Sequence, residues 1–597
     1  MKKNIYLLPL AAALLFVQGC GQRDASSVSP AIGRDAEIEA KVEKVLKEMD
    51  LTEKVGQMVQ LTSSTVTAPG GVTLDPEKLQ KVIGEMKVGS ILNTFGDVAQ
   101  SRELTAQLVG EIQKKSMEEI GIPCIYGLDM IHGASYLNDG TFFPQEINLA
   151  ATFNREYARA MGEVMAYETR AAMVPWVFSP VMDLGRNPVW PRQWESYGED
   201  PYLNAEMAVA ETKALQGEDP NHIDDKHVAV SIKHFMAYGV PVSGKDRTPA
   251  IVAGNDLREK FFRPFKDCLE AGALTLMVNS ASINGIPTHA NKELLTGWVK
   301  DGLDWDGLIV TDWADINNLY ERDHVAKDRK EALAMGINAG IDMIMEPNDP
   351  DCCLELKEVV ESGLIPMSRI DDAVRRVLRL KFRLGLFDNP TWDVSGYDKF
   401  GCKEFQDASY AAAVESEVLL KNEGNILPLE YGRKILVTGP NANSMRALNG
   451  GWSYTWQGDA DRFAGDFNTI YEALAQKFGE KNVIFEPGVV YDESDRWATG
   501  AWQKEYAPQI AKAVAAASKV DVIVACVGEN SYCETPGNID DLNLSANQKE
   551  LVKALSKTGK PIILVLNEGR PRVLREIEPL AKAVVDVMLP GNYGGDA

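Results

Sequence analysis

The segment Gly307-Leu308-Ile309-Val310-Thr311-Asp312-Trp313 sets a carboxylate and an indole at the end of a short apolar run of strand type. At the carboxyl end of a parallel strand, such groups face the region where α/β barrels and sheets do their chemistry. A carboxylate there can meet the polar carbon of a sugar while an indole stacks on the apolar face of the ring. The same Asp could instead cap a following helix. Other runs end comparably. Run 124–128 leads into Asp129 and then His132-Gly133, run 175–181 into Asp183 and a Trp- and Arg-rich loop, and run 228–232 into Lys233-His234. A structural protein does not need this pattern repeated at one end of its strands.

These groups need a scaffold that gathers strand ends. Apolar runs at 55–61, 88–92, 124–128, 175–181, 228–232, 273–278, 308–311 and 341–345 alternate with amphipathic stretches such as 156–171 and 371–384. The alternation predicts a (β/α)8 barrel of the TIM type over 36–390. Residues 391–410, rich in Asn, Pro, Asp, Gly and Tyr, read as a linker. A second α/β unit follows over 411–597, with strands expected at 435–439, 483–486, 522–528, 561–566 and 583–588 and helices at 469–478, 510–517 and 549–555. Runs this apolar suit a buried parallel sheet. The sequence stops just after a strand and a Gly-rich turn, where a helix and further strands are expected, so the second unit reads as incomplete.

At 597 residues the chain exceeds a single core, and 45% hydrophobic with 25% charged residues is a globular composition. Lys+Arg 62 against Asp+Glu 86 gives −24, which opposes binding to a polyphosphate backbone and argues against nucleic acid as a partner. Lys2 and Lys3 precede an apolar core at 5–17 that is too short to span a bilayer. Val17-Gln18-Gly19-Cys20 then resembles a bacterial lipoprotein box. The expectation is a signal peptide over 1–19, lipidation at Cys20, a tether over 20–35, and a place in the periplasm or at the outer membrane. The other cysteines (Cys124, Cys268, Cys352, Cys353, Cys402, Cys526, Cys533) form no C-x-x-C pair, and no His-x-x-x-His pair occurs. No metal site, cofactor or disulfide framework is expected, and most thiols should be free and buried.

In order along the chain stand Gly127-Leu128-Asp129-x-x-His132-Gly133, Trp190-Pro191-Arg192-x-x-Glu195-Ser196-Tyr197-Gly198-Glu199-Asp200-Pro201, Lys233-His234-Phe235, Thr311-Asp312-Trp313, Gly450-Gly451-Trp452 with Trp456-Gln457-Gly458, and Gly528-Glu529-x-x-x-x-Glu534-Thr535. From about residue 36 onward the chain resembles glycoside hydrolase family 3, in its β-glucosidase and β-glucan exohydrolase branch. The resemblance implies a barrel followed by an α/β sandwich, and a retaining mechanism run by two carboxylates in different states. Asp312 would be the nucleophile and Glu534, on the second domain, the acid/base, with Glu529 as its rival. Asp129 would accept hydrogen bonds from ring hydroxyls, and Arg192, Lys233 and His234 would donate to others. Trp313 and Trp456 would form a slot for the next sugar.

The implied activity is exo-acting removal of terminal non-reducing β-D-glucosyl residues from β-linked gluco-oligosaccharides. β-Xylosidase or α-arabinosidase activity of the same family is an alternative, as is a non-catalytic sugar-binding surface lipoprotein. A related subgroup that cleaves N-acetylglucosaminides uses a His on the loop after Lys-His, and residues 235–249 contain none. Three residues depart from the family pattern. Pro191 stands where many members have Gly, Ser280 where plant relatives have a Tyr that bonds the nucleophile, and Cys533 where a Thr often precedes the acid.

Overall fold

The computed structural model describes residues 29–494, 498 and 500–597, so the expected signal peptide and Cys20 lie outside the described residues. Strands β1 (Val59–Thr62), β2 (Ser90–Leu92), β3 (Ile125–Leu128), β4 (Trp176–Val177), β5 (Ala229–Phe235), β6 (Thr275–Val278), β7 (Leu308–Val310) and β8 (Ile344–Met345) form one parallel sheet in chain order. β8 pairs back onto β1, and a parallel bridge between Val310 and Met343 closes the ring. The strands are buried throughout, which is why they read as unbroken apolar runs rather than as alternation. The expected barrel is therefore present.

Run 55–61 is half helix. Val55, Gly56 and Gln57 finish the helix Leu51–Gln57, which starts at a capping box made by Asp50 and Glu53, and the strand begins only at Val59. The far end of the expected tether packs against the barrel. Ala31 donates its N–H to Leu303 O at 3.0 Å, Ile32 is buried, and Arg34 pairs with Asp304 at 2.5 Å.

The second sheet has strands β9 (Val418–Asn422), β10 (Ile435–Thr438), β11 (Val483–Phe485), β12 (Val522–Gly528), β13 (Ile562–Asn567) and β14 (Ala583–Asp586), in the order β9-β14-β13-β12-β10-β11. All pairs are parallel except β9 with β14. Side chains alternate between two apolar clusters, one on each face. Ile435, Val437, Val522 and Val524 enter one, and Leu436, Ile523, Ala525 and Val527 the other. Helix Lys403–Ser416 runs into the end of the stretch that reads as a linker, and edge strand β9 follows it directly.

Buried polar groups fasten the two sheets' domains together. Asn148 donates to Val587 O at 2.9 Å and accepts from Leu589 N–H at 2.8 Å, while Gln145 donates to Asn449 O and Gly451 O. His132 lies 2.6 Å from Phe143 O and 2.9 Å from Ser453 Oγ of the second domain. Burial pushes its pKa down to about 4, so the ring is neutral and carries one donor and one acceptor for these two partners.

Glu168 has the opposite pH behaviour. Its oxygens accept from Thr141 N–H, Thr141 Oγ1 and Gly401 N–H, and burial pushes its pKa up from 4.5 to about 7. The folded state thus holds this proton more tightly than the unfolded chain. Its contribution is fully present below pH 4.5 and is lost as pH rises through about 7, by at most on the order of 3 kcal/mol. Glu168→Gln should flatten the fall in melting temperature between pH 5 and pH 8 relative to wild type. Parallel pH profiles for the two proteins would refute the assignment.

Candidate active site

All eight residues named for catalysis and sugar binding line one cavity of about 680 Å3 at the carboxyl end of the barrel. Asp129 follows β3, Lys233 and His234 lie near the end of β5, and Asp312 and Trp313 follow β7. Arg192 comes from the loop after β4. Trp456 and Glu534 come from loops of the second domain, so the cavity lies at the junction of the two domains.

Asp312 is held by its own turn. Oδ1 accepts the backbone N–H of Trp313 at 2.6 Å, and the backbone N–H of Asp312 donates to His289 Nε2 at 3.3 Å. Burial keeps the His289 ring neutral, as an acceptor must be. Among the described residues Asp312 Oδ2 has no hydrogen-bond partner, and His234 Nε2 lies 3.9 Å from it.

Glu534 sits on a loop whose backbone is forced into φ +52°, ψ −141°, a region that costs a non-glycine residue on the order of 1–3 kcal/mol. Neighbouring loops hold it there. Gln457 accepts from Cys533 N–H at 3.0 Å and donates to Cys533 O at 3.1 Å. Gly451 passes so close that a Cβ would stand 2.8 Å from Tyr532 O and 3.0 Å from Cys533 Cβ. This close approach explains the glycine in the Gly450-Gly451-Trp452 motif.

Arg247, which sequence reasoning missed, stands between the two acids. Its Nη2 is 3.1 Å from Glu534 Oε2 and 3.9 Å from Asp312 Oδ1. Those two oxygens are therefore no further apart than the two contacts laid end to end, about 7 Å, which admits the ~5–5.5 Å spacing of a retaining pair. Arg247 Nη1 donates to Ser280 Oγ at 2.6 Å. Where the family's plant members carry a Tyr, a Ser–Arg pair here brings a cation toward the same carboxylate.

The remaining polar groups form a charged floor. Lys233 Nζ donates to Asp129 Oδ1 at 2.6 Å and lies 5.4 Å from the Trp452 ring. Desolvation raises the Asp129 pKa, and the Lys233 ammonium opposes that rise. Arg192 clamps Glu195 through Nε and Nη2 (2.6–3.0 Å) and leaves Nη1 3.6 Å from Glu534 Oε1 with no hydrogen-bond partner among the described residues. His234 Nδ1 is 2.7 Å from Asp183 Oδ2, and Nε2 faces Arg192 Nη2 at 3.3 Å. Burial, with Arg192, Lys233 and Arg247 nearby, holds His234 well below its usual pKa, hence neutral. With Nδ1–H given to Asp183, Nε2 offers a lone pair. That lone pair accepts from Arg192, so both ring nitrogens are engaged within the protein, whereas the sequence reading had His234 donating to a sugar hydroxyl.

Glu529 is not in the cavity. It is buried and saturated by Arg570, Arg572, Tyr532 and the N–H of Gly569 at 2.7–3.0 Å. Cys533 Sγ lies 3.6 Å from Glu195 Oε1 and faces away from solvent. Among the described residues all seven cysteines are free, and Cys402 alone is not buried.

This fold and site define the chain's class. Residues 50–380 match the glycosyl hydrolase family 3 N-terminal domain and residues 417–597 its C-terminal domain. The chain belongs to glycoside hydrolase family 3. It is 37% identical over 572 residues to the lysosomal beta glucosidase of Dictyostelium discoideum, covering 93% of this chain and 69% of that protein. It is 32% identical to the periplasmic beta-glucosidase of Salmonella typhimurium, covering 94% and 71%. Among solved structures, the exo-1,3/1,4-beta-glucanase of a Pseudoalteromonas species superposes with a TM-score of 0.82 at 28% identity, covering 95% of this chain and 69% of that one.

Proposed function

We propose that this protein is a retaining, exo-acting β-glucosidase that removes terminal non-reducing β-D-glucosyl residues from β-linked gluco-oligosaccharides. The observation that carries the reading is that Arg247 Nη2, hydrogen-bonded to Glu534 at 3.1 Å and 3.9 Å from Asp312, brings the two acids within about 7 Å of each other in the lining of one sugar-sized cavity. Asp312 Oδ2 attacks the anomeric carbon as the bond to the leaving oxygen breaks, and the Glu534 proton goes to that oxygen. Glu534, now a carboxylate, takes a proton from water as the water oxygen displaces Asp312. Two inversions return the β-anomer.

Asp129, Lys233 and Arg192 hold the ring hydroxyls through charge-assisted bonds worth roughly 1.5–3 kcal/mol each, and the neutral His234 lies beside them and fixes Arg192. Trp313, 37% exposed, and Trp456 offer faces to the next sugar. The relatives' names support glucose over xylose and exo attack over endo. Proton NMR of laminaribiose and cellobiose digests tests the reading, since β-glucose should appear first. Release of α-glucose first, or turnover of aryl β-xylosides but not β-glucosides, would overturn it.

Export is part of the proposal, supported by the apolar core at 5–17 and by the periplasmic relative; lipidation at Cys20 rests on the Val17–Cys20 sequence. No helix among the described residues is long and apolar enough to cross a membrane.

A further inference from the structure

We infer that Lys245, Asp246 and Arg247 form a clasp that sets the position of the acid loop 534–540 across the domain junction, and that the three act as positioning residues for protonation of the leaving group. The inference rests on the reading of Glu534 as the acid/base.

Each residue of the triplet grips a different point of that loop. Arg247 holds the Glu534 carboxylate at 3.1 Å. Asp246 Oδ2 accepts from Thr535 Oγ1 at 3.0 Å, and the Asp246 backbone N–H donates to Asn538 Oδ1 at 2.9 Å. Lys245 Nζ donates to Ile539 O at 2.7 Å and forms an ion pair with Asp540. Behind the clasp, Tyr238 OH donates to Asp246 Oδ1 at 2.7 Å and Ser280 Oγ accepts from Arg247 Nη1 at 2.6 Å, so both side chains are anchored in the barrel. The backbone at Arg247 is itself left-handed, φ +57°.

The physical need for such a device is plain. Glu534 comes from a separate sheet and holds an unfavourable backbone conformation, so nothing local fixes its carboxyl group against a sugar bound in the barrel. A displacement of about 1 Å at a proton donor can cost on the order of 10²-fold. The cation Arg247 meets the Glu534 acid, the anion Asp246 the Thr535 hydroxyl, the Asp246 N–H the Asn538 amide oxygen, and the cation Lys245 the Ile539 carbonyl and the Asp540 acid, in the order the loop presents them.

Leaving-group dependence of kcat/KM on the full chain separates positioning from mere structure. Asp246→Ala should lower kcat/KM for phenyl β-glucoside about 30–100-fold, yet for 2,4-dinitrophenyl β-glucoside, which needs no protonation, less than about 3-fold. Asp246→Asn keeps an acceptor and should recover the phenyl substrate to within about 5-fold of wild type. If Asp246→Ala does not fold, the partly exposed Lys245 serves instead, with Lys245→Ala showing the same dependence at about 5-fold. Equal losses on both substrates, or no loss, would overturn the clasp. Glu534→Ala run alongside keeps the two claims apart. If Glu534→Ala discriminates between the substrates and the clasp variants do not, the clasp alone is wrong; if Glu534→Ala does not discriminate either, the acid/base reading falls.

Discussion

Asp312→Ala should abolish turnover of every β-glucoside, activated or not, by on the order of 10⁴-fold or more in kcat, while glucose affinity stays within about 10-fold of wild type. The asymmetry follows from the site. Asp312 Oδ1 is tied to the turn by the Trp313 N–H, and Oδ2 alone is left for the substrate. Removing the carboxylate removes bond formation to the anomeric carbon, and a better leaving group cannot replace that. The groups proposed to bind hydroxyls do not depend on it: Lys233 stays paired with Asp129, and Arg192 stays clamped by Glu195. Quenching of tryptophan fluorescence by glucose measures the binding, since Trp313, Trp452 and Trp456 line the cavity. Residual kcat above about 1% of wild type on 2,4-dinitrophenyl β-glucoside would remove Asp312 from the role of nucleophile.

Much of this site was legible because strand periodicity and strand-end chemistry are local. Asp129, Lys233 and Asp312 follow apolar runs that became β3, β5 and β7. Arg247 was not legible. It lies on an irregular loop, and its partner Glu534 is 287 residues away, so only the docking of two domains brings them together. His289 was hidden for a different reason: it meets Asp312, 23 residues on in the same barrel, through a backbone N–H that no side-chain pattern records. Two misreadings of the fold are different in kind. The helix start at Asp50 carried its capping-box signal, but the apolar run 55–61 outweighed it. Strand β9 escaped because it follows a helix without a turn signal and sits at an edge, with Leu419 and Leu420 exposed.

Glu534→Ala should split the two half-reactions. For 2,4-dinitrophenyl β-glucoside, kcat/KM reports attack by Asp312 with a leaving group that needs no proton, and it should fall less than about 10-fold. For phenyl β-glucoside the same ratio should fall about 10²–10⁴-fold, the usual worth of general acid catalysis. On the activated substrate kcat should also fall about 10²-fold or more, because water now lacks its base and the glycosyl-enzyme accumulates; a pre-steady-state burst of dinitrophenolate would show it. Azide needs no base. It should restore kcat on the activated substrate and yield β-glucosyl azide, since it displaces Asp312 from the face that water uses. The surrounding cations sharpen this expectation. With the carboxylate gone, Arg247 and Arg192 lose an anionic neighbour at 3.1 and 3.6 Å and face the space it left, a favourable setting for a small anion. An α-azide would mean that no covalent intermediate forms on Asp312, and absence of any azide product would take the acid/base role from Glu534.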